Sequence, residues 1–220
     1  MKKPIRIIIT AGPTREPIDP VRFISNRSTG YMGYKIAEVA AKRRHSVTLI
    51  SGPTALKPPK VKKFISIETS DDLFNALKKE IRYADCLIMC AAVADFRPKK
   101  IARKKIKRGK RLLLHLVPNK DIVSAISRHK KGKLFIGFSL ETGNLIRNAY
   151  KKLKVKNLDI IVANSLSKRH NPFGDNELSV SIIERSGHRV YINGKSKTYI
   201  AQVLLDKIER LWYLKKKGNI

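Results

Sequence analysis

Two stretches of this sequence combine residue types that handle anions. The first runs from Thr10 to Gly33 and reads TAGPTREPIDPVRFISNRSTGYMG. In it Gly30 and Gly33 stand at the head of an apolar-periodic segment, with Ser28 and Thr29, both good capping residues, beside them. Backbone amides and hydroxyls at such a helix N-terminus face an anion and stabilise it. The spacing is not the GxGxxG of dinucleotide enzymes, and two glycines also serve simply to permit a tight strand-to-helix turn. The second stretch, Arg97 to Arg111, holds ten basic residues in fifteen and no acid. That density attracts phosphate esters, nucleotides or nucleic acid, and a segment so basic is not expected to be ordered by its own charges. Just ahead of it, Asp95 follows an apolar run ending at Cys90, where a carboxylate can reach a base edge, a ribose or a metal. Lys152 and Lys156, four apart, share one helical face.

The elements that must position these residues follow from periodicity. Strand-length apolar runs alternate with helical stretches: a strand at Ile7 to Thr10, a helix from about Tyr31 to Arg44, and a strand at Val47 to Ser51. Next come a helix at Asp72 to Tyr83, a strand at Cys86 to Cys90, a helix at Asp121 to His129 and a strand at Leu134 to Phe138. A basic helix at about Leu145 to Val155 and a strand at Asp159 to Val162 follow. Continuous rather than alternating apolar strands imply a sheet covered on both faces, hence an α/β, Rossmann-like, doubly wound and mostly parallel architecture. Leu178 to Glu184 and Arg189 to Ile192 flank Ser186 and Gly187 as a late antiparallel hairpin, and a last helix aligns Ile200, Val203, Leu204, Ile208 and Leu211. Ala11 to Gly30 and Asp95 to Arg111 fit neither strand nor helix. Loops this long in a compact domain are usually functional, and both follow strands whose carboxyl ends gather ligands in open α/β sheets.

With 220 residues, 42% of them hydrophobic, the chain can close a single domain spanning 1–220, with a flexible basic loop at about 97–111. No 18-residue apolar run and no small-residue cleavage site occur, so a cytoplasmic protein without a membrane span is expected. Cys86 and Cys90 have no partner pair elsewhere and suggest neither a disulfide framework nor a zinc site. The net charge of +31 sets up a field that favours anions, although lysines spread along the whole chain make part of the excess compositional. A nucleic-acid binding module would interleave aromatics with the basic arm for base stacking, and only Phe96 borders it. A nicotinamide-dependent oxidoreductase would need the missing glycine fingerprint and an acid ending the second strand, where Ser51 stands.

The first string as a whole closely resembles the opening of the phosphopantothenoylcysteine synthetase (phosphopantothenate–cysteine ligase) family, including its Thr-Ala-Gly-Pro-Thr and Ile-Ser-Asn segments. Later segments agree in order: Ala91 to Arg97, Lys105 to Arg108, Asn119 to Val123, Gly137-Phe138 with Glu141-Thr142, Lys156 to Asp159, Ala163-Asn164 and Phe173 to Asn176. The resemblance covers roughly Ile7 to Leu211 and takes the form without the fused flavin decarboxylase. It implies a ligase of coenzyme A biosynthesis that uses CTP and Mg2+ to activate the carboxylate of 4'-phosphopantothenate as an acyl-cytidylate. L-cysteine then displaces CMP. No flavin is implied. A homodimer and a separate phosphopantothenoylcysteine decarboxylase are expected partners, and an ATP-dependent version of the same ligase is the alternative.

Residue by residue, the resemblance makes Asn26 and Lys105 catalytic: Asn26 as the amide that positions the acyl group, Lys105 as the ammonium acting on the activated intermediate. It assigns the nucleotide to Gly12, Ser28, Gly30, Gly33, Ala91, Asp95, Lys105, Lys120, Asp121, Ile122, Val123, Phe138, Lys152 and Lys156, with Phe138 packing at the base. Asn26, Ala92 and Asn164 are assigned to the acyl substrate, and Asp95 to the metal. The basic stretch becomes a lid over the triphosphate. Lys120 and Tyr31 depart from the family, whose members commonly carry proline and lysine there.

Overall fold

The computed structural model describes residues 3–167 and 171–218. Its centre is an eight-stranded sheet in the order β12-β11-β10-β9-β6-β1-β4-β5. The strands are β1 Arg6–Ala11, β4 Ser46–Ser51, β5 Lys63–Ser66, β6 Cys86–Met89, β9 Leu134–Glu141, β10 Ile160–Ser165, β11 Leu178–Glu184 and β12 Arg189–Lys195. Six of them, from β5 to β10 across the sheet, are parallel, and β11 and β12 close it as an antiparallel hairpin. The chain leaves β1 toward β4 and β5 on one side and toward β6, β9 and β10 on the other. The order therefore reverses between β1 and β6, and the crevice at their carboxyl ends is the topological switch point at which such sheets bind ligands.

Alternation along each strand explains the continuous apolar runs. Ile7 and Ile9 of β1, with Cys86 and Ile88 of β6, point into one core, where α1 Tyr31–Lys42 and α5 Lys197–Lys216 cover the sheet. Ile8, Leu87 and Met89 point into the other, beneath α2 Ser70–Glu80, α3 Ile122–Ile126 and α4 Leu145–Val155. Both faces being buried, no polar position is needed between the apolar ones.

Three expectations are corrected. The strand β5, whose charged Lys62-Lys63 start hides a four-residue run on the sheet edge, was missed. The two long connections are not featureless: β2 Arg15–Pro17 pairs with β3 Phe23–Ser25, and β7 Phe96–Pro98 pairs with β8 Leu116–Pro118. The basic stretch is thus the arm of a hairpin. Finally, neither Ser28 nor Thr29 caps α1; Gly30 does, at φ 79, and the Ser28 hydroxyl accepts from the Gly30 amide at 3.2 Å.

Candidate active site

The loops after β1 and β6 are closed on each other at the switch point. Thr10, fully buried, accepts through its hydroxyl from the amides of Cys90 and Ala91, each at 3.1 Å. Beyond it the Ala92 amide donates to Gly12 O at 2.9 Å, the Thr14 amide donates to Ala92 O at 3.2 Å, and the Ala94 amide donates to the buried Thr14 hydroxyl at 3.0 Å. Asn26 extends the closure from the far end of the β2–β3 hairpin: its Nδ2 donates to Ala92 O at 3.2 Å and Val93 O at 3.0 Å. Both amide hydrogens being engaged, the capacity left on Asn26 is its Oδ1 acceptor. That oxygen can accept, for instance from an amine.

The start of α1 packs into this closure through glycines. A Cβ on Gly33 would meet the Ala11 Cβ at 2.6 Å, and one on Gly30 would come within 3.2 Å of the Gly12 amide nitrogen. Ala11-Gly12 and the first turn of α1 are consequently back to back, which no larger residue allows. Over the same helix start lies the segment from Pro172 to Gly174. The Gly174 amide donates to the Thr29 hydroxyl at 3.2 Å, and Lys197, only 3% exposed, donates through Nζ to Pro172 O at 2.8 Å and to Gly174 O. Burial pushes the Lys197 ammonium below the usual lysine range, with Asp175 opposing the shift. Sequence reasoning missed Lys197. Its signal was a cation placed three, four and seven residues before Ile200, Ala201 and Leu204, on the buried face of a helix.

On the α3 side of the switch point a cleft of about 180 Å³ is lined by Met89, Val93, Ala94, Asp95, Asn119, Lys120, Asp121, Ile122, Val123 and Lys156. Six residues assigned from sequence to a nucleotide thus meet in one place. Asn119 ties the cleft together, its amide donating to Asp95 O and its Nδ2 to Ala94 O, each at 2.8 Å. Asp121 caps α3 by accepting from the Ser124 amide at 3.1 Å and lies 3.4 Å from the Lys156 ammonium. Its carboxyl sits below the usual range because the Ser124 and Lys156 contacts outweigh desolvation, the largest single effect. The Lys120 ammonium lies 4.1 Å from the centre of the Phe74 ring.

Other assigned residues stand apart from this cleft. The Lys152 ammonium is taken by Glu141 Oε1 at 2.6 Å and the Ser139 hydroxyl at 3.1 Å. Phe138 packs against the core under α1 and α5, whereas Ile122 and Val123 belong to the opposite face of the sheet. Its ring and the cleft thus lie on opposite faces of the sheet. Asn164 is the penultimate residue of β10, two strands beyond β6. Lys105 is exposed on the hairpin arm, and two backbone amides of the arm are held by the first loop: the Ala102 amide donates to Ile18 O at 3.0 Å, and the Ile106 amide to the Asp19 side chain at Oδ2, 3.1 Å away. No group of three or more His, Cys, Asp or Glu side chains that could hold a metal ion occurs among the described residues. No described helix is long and apolar enough to cross a membrane.

Comparison with known proteins gives these features a context. The profile of the DNA/pantothenate metabolism flavoprotein C-terminal domain matches residues 3–211. The chain is 39% identical over 211 residues to the coenzyme A biosynthesis bifunctional protein CoaBC of Escherichia coli strain K12. It is 42% identical over 206 residues to a cysteine/cysteine sulfinic acid decarboxylase of an unknown prokaryotic organism. It covers 94% and 92% of itself in these alignments but spans only 52% and 57% of the two relatives. The crystal structure of the C-terminal domain of a CoaBC protein superposes with a TM-score of 0.81 at 37% identity, over 94% of this chain and 95% of that one. The Streptococcus pneumoniae DNA/pantothenate metabolism flavoprotein superposes at 0.82, with 26% identity, over 94% and 99%.

Proposed function

The chain belongs to the DNA/pantothenate metabolism flavoprotein C-terminal domain family, and from that premise we propose that it is a phosphopantothenate–cysteine ligase using CTP. What carries the reading is the closure of the two loops at the switch point, which puts the Asn26 amide, the α1 N-terminus and the Asp95 cleft side by side. The relatives named for coenzyme A biosynthesis contribute the substrate class.

In this reading the cleft takes the base and ribose, and the triphosphate lies outside it, toward the amides at the start of α1 and the basic arm. The 4'-phosphopantothenate carboxylate attacks the α-phosphorus. The Pα–O bond to the β-phosphate breaks, and an acyl-cytidylate and pyrophosphate result. The amine of cysteine then attacks the acyl carbon, the C–O bond to the phosphate breaks, and CMP leaves with its electron pair as the amine gives up a proton. Asn26 accepts from that amine through Oδ1 and orients it, while Lys105 stabilises negative charge on the carbonyl oxygen. Asp95 is the carboxylate that would hold Mg2+, which suits an ion bound largely by phosphate oxygens and water; when bound it neutralises charge on the departing pyrophosphate. A homodimer, a cytoplasmic setting and a separate decarboxylase acting on the product belong to the same reading.

The test is pyrophosphate release and amide formation from 4'-phosphopantothenate and L-cysteine with CTP or ATP, with and without Mg2+. Pyrophosphate release with CTP that needs 4'-phosphopantothenate and Mg2+, and amide formation that needs L-cysteine as well, is the expected result. Release with ATP alone would move the proposal to the ATP-dependent version of the ligase. No release with either nucleotide would remove the ligase reading, and loss of cysteine with CO2 evolution instead would point to the decarboxylation named for one relative.

A further inference from the structure

We propose that Asp19 is a positioning residue that sets Lys105 against the loop carrying Asn26; the inference deepens the ligase reading above and rests on its assignment of Lys105. The Asp19 side chain has no solvent exposure although it lies in a loop ending in exposed residues, and a buried carboxylate survives only when its lone pairs are filled. Here they are. Oδ1 accepts from the amides of Val21 at 2.8 Å and Arg22 at 2.9 Å, closing the turn of its own loop. Oδ2 accepts from Arg22 Nε at 3.0 Å and Nη2 at 2.5 Å, and from the Ile106 amide at 3.1 Å. Arg22 Nη2 in addition donates to Ile106 O at 2.8 Å. Both backbone groups of Ile106 are thereby gripped by one ion pair.

Ile106 follows Lys105 directly, and the Ala102 amide adds a second tie to Ile18 O. The piece of arm bearing Lys105 is therefore fixed at both ends to residues 18–22, which run without a break into β3 and Asn26. An ammonium on a long flexible stem gains nothing from such a grip unless the position of its backbone matters. Because the same turn leads to Asn26 and grips Ile106, it sets the distance between the two groups assigned to the amine-attack step, and an error of about an ångström there costs on the order of a hundredfold in rate.

Two substitutions test this. Asp19→Asn keeps the shape and weakens the acceptor. Ile106→Pro leaves the Asp19 and Arg22 side chains untouched and removes the amide that Asp19 takes, while also fixing φ at 106 and narrowing the backbone of Lys105. The first readout needs no activity: trypsin cuts after lysine and arginine except before proline, so the rate of cleavage between residues 99 and 111, at bonds other than 105–106, reports how firmly the arm is held. Both variants, confirmed as folded by circular dichroism, should be cut about tenfold faster than the parent. The second readout is single-turnover amide formation, expected to fall roughly 10- to 100-fold in both, and by less than about threefold when each substitution is added to Lys105→Gln, since residues acting as one unit are not additive. Unchanged cleavage in Ile106→Pro, or full additivity with Lys105→Gln, overturns the inference. If the parent protein itself forms no amide, the ligase reading fails, and the cleavage rates still decide whether Asp19 holds the arm.

Discussion

Two regions of the molecule carry many cations and use them in opposite ways. Around α4 and α5 most acids on the sheet edge have been matched to a base. Glu184, 2% exposed, meets Lys207 at 2.8 Å and Arg210 at 2.6 Å; Glu141 meets Lys152 at 2.6 Å; Asp159 meets Lys130 at 3.0 Å. In the hairpin arm, by contrast, none of the nine basic side chains from Lys99 to Arg111 forms an ion pair among the described residues. Charges that are paired and half desolvated hold elements together. Charges left in water repel one another and are useful only to something that comes from outside. A net charge of +31 is therefore two different things, and the comparison predicts a clean division: cations of the arm govern turnover, cations of the flank govern stability.

The largest effect expected from that division is at Lys105. Lys105→Gln should leave the melting temperature within about a degree, since isolated surface changes contribute within roughly 0.5 kcal/mol. Amide formation should fall by a factor on the order of a hundred. Two roles are separable. If the ammonium serves the leaving pyrophosphate, release is abolished; if it serves the carbonyl oxygen as the amine attacks, one equivalent of pyrophosphate is still released while the amide does not appear. The second pattern is expected on the ligase reading, because magnesium and the amides at the start of α1 can serve the phosphates. Rapid-quench measurement of both products in a single turnover decides, and wild-type rates for both would make Lys105 one more lysine in a crowded arm.

On the flank the signs reverse. Glu184→Gln should not alter turnover but should lower stability at neutral pH by about 2 kcal/mol, the scale of hydrogen bonds to charged groups, or roughly 4–8 °C in a chain of this size. The Lys207 and Arg210 contacts hold the Glu184 carboxyl below its usual range against desolvation, the largest single influence on it. A carboxyl whose folded pKa is depressed binds fewer protons folded than unfolded, so its stabilisation is complete above the ordinary glutamate range and is lost as the pH drops through the folded value. The gap between parent and variant should thus be widest near pH 7 and shrink below pH ~4.5, which thermal melts from pH 3 to 7 can follow. A gap that widens with acid would contradict the assignment of that charge pair to stability.

How far the sequence foretold this depends on which physics positioned each part. Strands such as Cys86–Met89 were legible because burial on both faces demands a run of apolar residues, and a run this short between helical stretches has strand length. The Asp95, Lys120, Asp121, Ile122, Val123 and Lys156 assignments meet in one cleft because they follow two adjacent parallel strands or lie on the helix between them, so chain order fixes their neighbourhood. Phe138 lies apart from them because a strand residue faces one side of the sheet or the other by parity, and its parity puts it on the side away from α3. The grip of Asp19 on Ile106 spans 87 residues and has no periodicity to betray it. Lys152 read as a free cation because sequence spacing does not reveal that Glu141, at the end of the neighbouring strand, faces it.

The smallest effect tests whether a cation can belong to both classes. Lys120 lines the cleft, as an arm-type charge would, yet its ammonium lies over the Phe74 ring of α2 at 4.1 Å, as a flank-type charge would. An exposed contact of this kind contributes about 0.5–1 kcal/mol. If stacking is its main use, Lys120→Met, which keeps the stem and drops the charge, should lower the melting temperature by roughly 1–4 °C and leave the apparent affinity for CTP unchanged. If the charge serves a bound nucleotide, the melting temperature of the free protein should barely move, while the apparent Kd for CTP rises severalfold and loses part of its dependence on ionic strength, because one screened attraction has been removed. The first outcome is expected, since the ring holds the ammonium against the cleft wall at α2. A rise in Kd with an unchanged melting temperature would place Lys120 with the arm and move the boundary between the two regions into the cleft itself.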